Sequence, residues 1–531
     1  MDADTQILQE VARDYPDYLR DESRRTGSAA SISFPVTEED VIAQLAYARQ
    51  NGWTVTVQGA RTGITGGAVP GGGHVLNLSR MKAVLGLRRE AESGDFVLTV
   101  QPGVLLSEIQ ECVERKSFDT SRFSPSSRDA LDTLTAGAYF FAPDPTETSA
   151  SAGGMTACNA SGAHSFAYGP MRRHVARVRA VLADGSVVDL KRGAQRANGR
   201  AFSLRADAGR VIAGTLPSYR MPAVKNAAGY YAEDNMDLVD LFVGSEGTLG
   251  IFTEIDLRLA PAPAVSWGVL AFLPGEPQAI RLVTRVQKAR GQTGRAAAPV
   301  AVELFSAESL DLLRRQKASN PAFEELPALP PAWHTGIYVE FQGDSEDAVE
   351  NAVVAMSEWM AACGGNEEAT WLAADDRERQ RLKTFRHAVP EAVNLLIDER
   401  RRTEPRLTKL GTDLAVPDAA LQQVMSLYRR DLDAGGFEYV MFGHIGNNHV
   451  HVNIIPRNLE EYERGKALYR QWAHAVIGMG GTVSAEHGIG KLKTELLAEM
   501  YGAEGLEEMR AVKAQFDPDG ILNPGNLFGN P

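Results

Sequence analysis

Between residues 37 and 50, TEEDVIAQLAYARQ places Val41, Ile42, Leu45, Ala46 and Ala48 on one helical face behind a capping box of Thr37 and Asp40, and Asn51-Gly52 ends the segment. The apolar period then becomes two in WTVTVQ, is interrupted by the loop GARTGITGGAVPGGG (59–73), and resumes in HVLNLSRM, so this loop joins strand to strand. Farther on, PDPTETSASAGGMTACNASGAHSFAYGPMRRHV is rich in small and turn-forming residues. VARVRAVLADGSVVDL after it predicts a strand, a turn at Asp184-Gly185 and a second strand. LVDLFVGSEGTLGIFTEIDLRLAPAPA adds strands around a third glycine turn, and its proline-rich end near 260–264 marks a domain boundary. From about 265 to 430, strand-like runs such as GIYVEFQG alternate with amphipathic helices such as SEDAVENAVVAMSEWMAACGG, which predicts a sheet with helices on one face. ELPALPPAWH (325–334) reads as a surface loop.

A chain of 531 residues is too long for one ordinary core, so two or three domains are expected. None of its apolar runs approaches the roughly 18 residues of a membrane span. The acidic, amphipathic start does not resemble a secretory or transit peptide, and the cytoplasm is the expected compartment, with peripheral membrane contact as a variant. The net charge of −13 argues against nucleic-acid binding. Cys112, Cys158 and Cys363 are isolated in sequence, which disfavours a disulfide framework, a zinc–thiolate site and an iron–sulfur cluster. Any metal must therefore use histidine and carboxylate.

Three of the ten histidines fall within eight positions, in FGHIGNNHVHVNIIP (442–456). Read as a strand, His449, His451 and Asn453 share one face, and Val450, Val452 and Ile454 the other. His444 precedes a Gly446-Asn447-Asn448 turn, so a hairpin brings it back beside His451, close enough for one cation. GGTVSAEHGIGKLK offers the carboxylate, Glu486, beside His487. Neighbours in an extended segment point opposite ways, so one can meet a cation while the other faces a substrate.

GARTGITGG fits neither the Walker A pattern nor GxGxxG at a helix start. Its glycines can turn several backbone N–H groups toward one anion, with Arg61, Thr62 and Thr65 adding donors, and a pyrophosphate suits it. Similar loops recur at 153–169 and 244–250.

GARTGITGGAVP, the stretch 146–169 ending in Tyr168-Gly169, KNAAGYYAED, LFVGSEGTLGI and FDPDGILNPGNLF together resemble the FAD-linked oxidase family, the superfamily of vanillyl-alcohol oxidase and p-cresol methylhydroxylase. The resemblance is strongest to the branch of D-lactate dehydrogenase, D-2-hydroxyglutarate dehydrogenase and the glycolate oxidase flavin subunit, and it covers about residues 33 to 529. It implies an α+β fold: an FAD-binding domain of two subdomains (1–262), a substrate-binding cap with an antiparallel sheet (263–497), and a C-terminal segment (498–531), bearing Asn523, that returns to the FAD site.

By the same resemblance, Gly59, Arg61, Thr62, Gly63, Thr65, Gly66 and Gly67 hold the FAD pyrophosphate. Thr148, Ser149, Gly153, Gly154, Asn159 and Gly162 line the isoalloxazine side, and Glu246, Gly247 and Ile251 contact the adenosine half. FAD is expected to be non-covalent, His74 lying beyond the loop. The family pattern H-x-G-D-x-N-x-H followed by E-H-G makes His444, His451 and Glu486 ligands of a divalent metal (zinc, iron or manganese) and His487 the base. This chain has Asn447 for the acid and His449 for the amide of that pattern. Arg386, Asn453 and Lys409 would orient the substrate, although Pro390 stands where the 2-hydroxyglutarate enzymes carry threonine. The implied activity is dehydrogenation of a D-2-hydroxy acid (D-lactate, glycolate or D-2-hydroxyglutarate) by hydride transfer to flavin N5. The electrons pass to an acceptor the sequence does not name, and a homodimer is compatible. The rival readings are a non-redox FAD enzyme of the alkyl-glycerone-phosphate synthase type and a flavin subunit acting as an electron relay.

Overall fold

The computed structural model describes residues 8–290 and 296–529, and the first seven residues of the acidic amino-terminal stretch lie outside that range. The helix Glu38–Gln50 is capped as its sequence requires: Thr37 Oγ1 accepts from the Asp40 amide at 3.2 Å, and Asp40 Oδ2 accepts from the Thr37 amide at 3.0 Å. Its Val41, Leu45 and Ala48 bury against Val55, Leu76 and Leu522. Val55–Gln58 and His74–Asn77 pair in parallel, in a four-stranded sheet with Leu8–Gln9 and Ser31–Ser33. A parallel pair is usually joined by a helical crossover; here the loop 59–73 makes the connection, which leaves its backbone free for other work. The tail adds to the sheet's edge, where Val55 donates to the Ile521 carbonyl at 2.7 Å and Asn523 donates to the Val55 carbonyl at 2.8 Å.

A second, antiparallel sheet runs in the order Val84–Arg89, Phe96–Val100, Ile251–Arg258, Val175–Val181, Val187–Lys191. The last two form the hairpin expected around Asp184-Gly185.

The third sheet has seven strands, in the order Thr370–Ala373, Val265–Leu273, Thr335–Gly343, Ala297–Phe305, Tyr439–Gly443, His451–Ile454, Leu410–Gly411. The expectation of helices on one face is corrected. Glu276–Ala289 and Glu346–Ala362 supply Val283, Val286 and Met356 to a core with Val269, Ala271 and Val339. Ala307–Ser319 and Asp376–Arg401 cover the opposite face, where Leu313, Phe385 and Val389 meet Leu270, Phe272 and Phe305. The reason is legible in VSWGVLAFL, an unbroken apolar run of the kind a strand shows when both its faces are buried. The stretch 325–334 is likewise more than surface: Leu326 and Leu329 are buried, and Trp333 stacks on Phe272 at 4.3 Å.

Among the described residues, no helix is long and apolar enough to cross a membrane.

Candidate active site

A cavity of about 1170 Å³ opens between the glycine loop and the seven-stranded sheet, lined by Thr62 and Thr65 at one side and by His451 and His487 at another. The histidines reach it by the hairpin their spacing implies. Tyr439–Gly443 pairs antiparallel with His451–Ile454, Phe442 opposite His451. A short turn at Ile445–Asn447 and a left-handed Asn448 (φ +53°) return the chain, and the His449 amide donates to the His444 carbonyl at 3.2 Å. The His444 and His451 rings then lie 5.5 Å apart, and His449 and His451 4.4 Å apart.

Glu486 enters from the segment 484–488, whose backbone Asp413 organises: the amides of Glu486 and His487 each donate to its carboxylate at 3.1 Å. One ligand atom from each of His444, His451 and Glu486 falls within 4.8 Å of the others. His444 Nε2 is 3.3 Å, and His451 Nε2 3.8 Å, from the Glu486 carboxylate. Each imidazole turns its other nitrogen to an oxygen, His451 Nδ1 to the Thr412 carbonyl and His444 Nδ1 to Glu303, both at 3.2 Å. That arrangement turns both Nε2 atoms to the carboxylate side, as in metal-ligating imidazoles, where an ion would take the place of the His444 proton. The donor set therefore fits a divalent ion bound by nitrogen and oxygen.

Burial lowers the basicity of His449 to about 4 and, with the other histidines beside it, holds His451 well below the usual range. His444 departs in the other direction: burial opposes its charge, but Glu486 and Glu303 raise it to about 9. The ammonium of Lys225, itself buried, contacts Glu486 and keeps that carboxylate ionised.

His487 lies alongside, its ring 5.8 Å from that of His451, and its Nδ1 is 3.2 Å from Asp413. Asn453 and Lys409 line the same cavity, and Lys409 donates to Asn394 at 2.9 Å. Arg386 lines it too, from the middle of the continuous helix Asp376–Arg401, with Nε donating to Glu303 and its guanidinium 4.7 Å from the Tyr338 ring.

Of the positions expected to hold the cofactor, Thr62, Thr65 and Thr148 face the cavity. A side chain added at Gly63 would meet nothing within 4 Å, so the loop presents open backbone there. Gly59, Gly153, Gly154 and Gly162 do different work. A Cβ would stand 2.2 Å and 3.1 Å from Ser151 Oγ at Gly59 and Gly154, 2.6 Å from Pro102 at Gly153, and 2.0 Å from the Asp144 carbonyl at Gly162. Close approach of another loop is what requires glycine at 59, 153 and 162, whereas Gly154 meets only the Ser151 that caps its own helix. Gly66 packs beside Leu492, Gly67 beside Asn526, and the Arg61 guanidinium lies 4.2 Å from the Tyr18 ring. Ser149 donates to Glu147, and Asn159 caps a helix and accepts from the Arg172 amide at 2.9 Å.

Glu246, Gly247 and Asn523 meet one another. Glu246 accepts from the amides of Ile489 and Gly490 at 2.6 and 2.7 Å. Asn523 donates to the Glu246 carbonyl and accepts from the Val57 amide, both at 2.7 Å. They form a joint between the glycine turn, the edge strand and the tail. Ile251 is fully buried in the second sheet's core, and His74 is buried between Ser31 and Ser33, away from the cavity lining.

Glu303, Asp413 and Lys225 escaped the sequence reading. Each is one charge in an apolar or glycine-rich run, VAVELF, LGTDLAVP and KNAAGYY; that isolation was the signal for Glu303 and Asp413, while Lys225 also opens the motif KNAAGYYAED.

The chain belongs to the family of FAD-linked oxidases. The family's C-terminal domain matches residues 268–527, and the FAD binding domain matches residues 29–129 and 126–191. The chain is 29% identical over 514 residues to a probable mitochondrial D-lactate dehydrogenase of Danio rerio, covering 96% of this chain and 86% of that one. It is 28% identical to a D-2-hydroxyglutarate dehydrogenase of Xanthomonas citri pv. viticola, covering 97% and 93%. Its fold resembles that of 4-ethylphenol oxidase from Gulosibacter chungangensis, with a TM-score of 0.65, 16% identity, and 99% and 94% of the two chains covered. The family binds FAD, and the cavity, somewhat above the roughly 300–1,000 Å³ range of ligand pockets, has room for a dinucleotide.

Proposed function

We propose that the protein oxidises a D-2-hydroxy acid of the D-lactate, glycolate or D-2-hydroxyglutarate class to the 2-oxo acid and passes the electrons to an acceptor outside the chain. The relatives' names support the substrate class. The observation that carries the reading is the convergence of His444, His451 and Glu486 beside His487 on one cavity.

FAD, when bound, supplies the hydride acceptor, and a divalent ion held by His444, His451 and Glu486 supplies positive charge where the substrate hydroxyl becomes an alkoxide. An aliphatic hydroxyl is too weak an acid to ionise unaided near neutral pH, so a base must stand within reach. His487 meets that need: Asp413 takes the Nδ1 side, and Nε2 is left to receive the hydroxyl proton. Arg386, Lys409 and Asn453 supply donors that orient the carboxylate and fix which face of the α-carbon carries its hydrogen toward the flavin. The cysteines are free and scattered, so electrons leave from the flavin itself.

The test is anaerobic flavin reduction by a panel of D- and L-2-hydroxy acids, with and without a chelator. D-acids bleach the oxidised flavin absorbance and the chelator slows them; bleaching that is absent, or indifferent to both stereochemistry and chelation, rejects the reading.

A further inference from the structure

Glu303 touches both halves of this site. It rises from the strand Ala297–Phe305, and its side chain is 9% exposed. One carboxylate oxygen, Oε2, accepts from Arg386 Nε; the other, Oε1, lies 3.2 Å from His444 Nδ1. The far nitrogen of that imidazole, Nε2, is 3.3 Å from Glu486. A continuous line of contacts thus runs from Arg386 through Glu303 and His444 to Glu486.

A buried carboxylate without partners is strongly disfavoured, and here both partners are residues with their own place in the site. Holding Nδ1 of a ligating imidazole sets its tautomer and ring orientation and strengthens Nε2 as a donor. Holding Nε of an arginine fixes the plane in which its outer fork meets an anion. One carboxylate performing both tasks cannot perform them independently.

Resting on the function proposed above, we infer that Glu303 is a positioning residue that couples metal binding to substrate binding. A substrate carboxylate that draws on Arg386 takes hydrogen-bonding density away from Glu303 Oε2. The carboxylate then gives more to His444, whose Nε2 becomes the better metal ligand. Substrate therefore tightens the metal, and by linkage the metal tightens substrate by the same factor.

The test titrates Zn²⁺ into metal-stripped, FAD-loaded enzyme by calorimetry, with the flavin reduced photochemically beforehand so that substrate binds without turnover. Each titration is run without ligand, with D-lactate and with D-2-hydroxyglutarate. In the wild type at least one acid tightens Zn²⁺ several-fold. Glu303→Gln keeps the side-chain shape, weakens Zn²⁺ by about 10- to 100-fold, and shrinks the effect of the acid several-fold, to what direct contact between ion and substrate leaves. Arg386→Lys leaves the His444 side untouched; it keeps Zn²⁺ affinity within a few-fold and also shrinks the effect of the acid several-fold, which provides the readout should Glu303→Gln fold poorly. Wild-type Zn²⁺ affinity with an undiminished acid effect in either variant overturns the coupling and leaves the proposed oxidation standing. If wild type and His451→Ala bind Zn²⁺ equally poorly, the metal site fails, and the coupling with it.

Discussion

Asp413 Oδ2 lies 3.2 Å from His487 Nδ1 and accepts the backbone N–H of the same residue at 3.1 Å, so one buried carboxylate positions both the ring and the chain that carries it. It is also held by Ser484 Oγ at 2.7 Å and Lys493 Nζ at 2.6 Å. With so many partners on it, the carboxylate is fixed, and it fixes the imidazole in turn.

Replacing Asp413 with Asn should preserve the shape of this support but remove its charge and one acceptor. Substrate-dependent flavin reduction is expected to fall by about 100-fold or more, the scale of a displaced general base, while bound FAD remains stoichiometric. Stopped-flow absorbance reads the rate, and a rate within two-fold of wild type would remove Asp413 from the role.

Lys225 and Glu486 form an ion pair with side chains 2% and 8% exposed. Lys225→Met leaves the carboxylate buried without its ammonium, a loss of about 3 kcal/mol in metal-free protein. Saturating Zn²⁺ replaces the missing charge and should recover much of the stability. Thermal unfolding with and without Zn²⁺ checks this, and a melting temperature equally low in both conditions contradicts it.

His164 sits between Asp144 and Glu340, with ring nitrogens 3.1 Å from each, and joins the segment that precedes the strand Val175–Val181 to the seven-stranded sheet. Burial opposes its charge, but the two carboxylates outweigh burial and Arg386 and raise it to about 9 from an ordinary 6.5. A raised folded-state value favours the protonated, folded protein, so this stabilisation is complete below pH 6.5 and disappears as pH rises through 9. Urea unfolding should therefore show a loss of up to about 3 kcal/mol between pH 6 and 9.5, relative to His164→Gln. Parallel curves for the two proteins would show that the contact carries no charge. Glu246, which burial raises to about 7, also costs stability as pH rises through 4.5 to 7, and the comparison with His164→Gln cancels that shared part.

Gly162→Ala drives a methyl to within 2.0 Å of the Asp144 carbonyl, so the two loops must part. A cost of about 1–3 kcal/mol is expected from overpacking, together with weaker flavin retention on gel filtration. Full FAD content with an unchanged melting temperature would show that the loops yield freely.

How much of this could be read from the chain depended on whether the relevant neighbours were close in sequence. His444, His451 and Asn453 sit on one hairpin, where alternation and a turn specify who faces whom, and Glu486 and His487 are adjacent. Thr37 and Asp40 capped their helix for the same local reason. Glu303, Asp413 and Lys225 are different, because each finds its partner 83, 74 and 261 residues away. A lone acid in VAVELF announces that it must be satisfied, without saying by whom. The two-sided cap sheet was missed because helical periodicity identifies a helix's apolar face but not the sheet face it covers, whereas the unbroken VSWGVLAFL already carried that information.

The edge strand Val55–Gln58 is finished only by residues 521–523, which lie far along the chain from it. On a translating ribosome the amino-terminal sheet must wait, with one border open, until those residues emerge from the exit tunnel. Maturation of the dinucleotide pocket is thus postponed until residues 521–523 are outside the ribosome, and a polypeptide stalled or cut short before them would present that unpaired border to the cell's quality-control machinery.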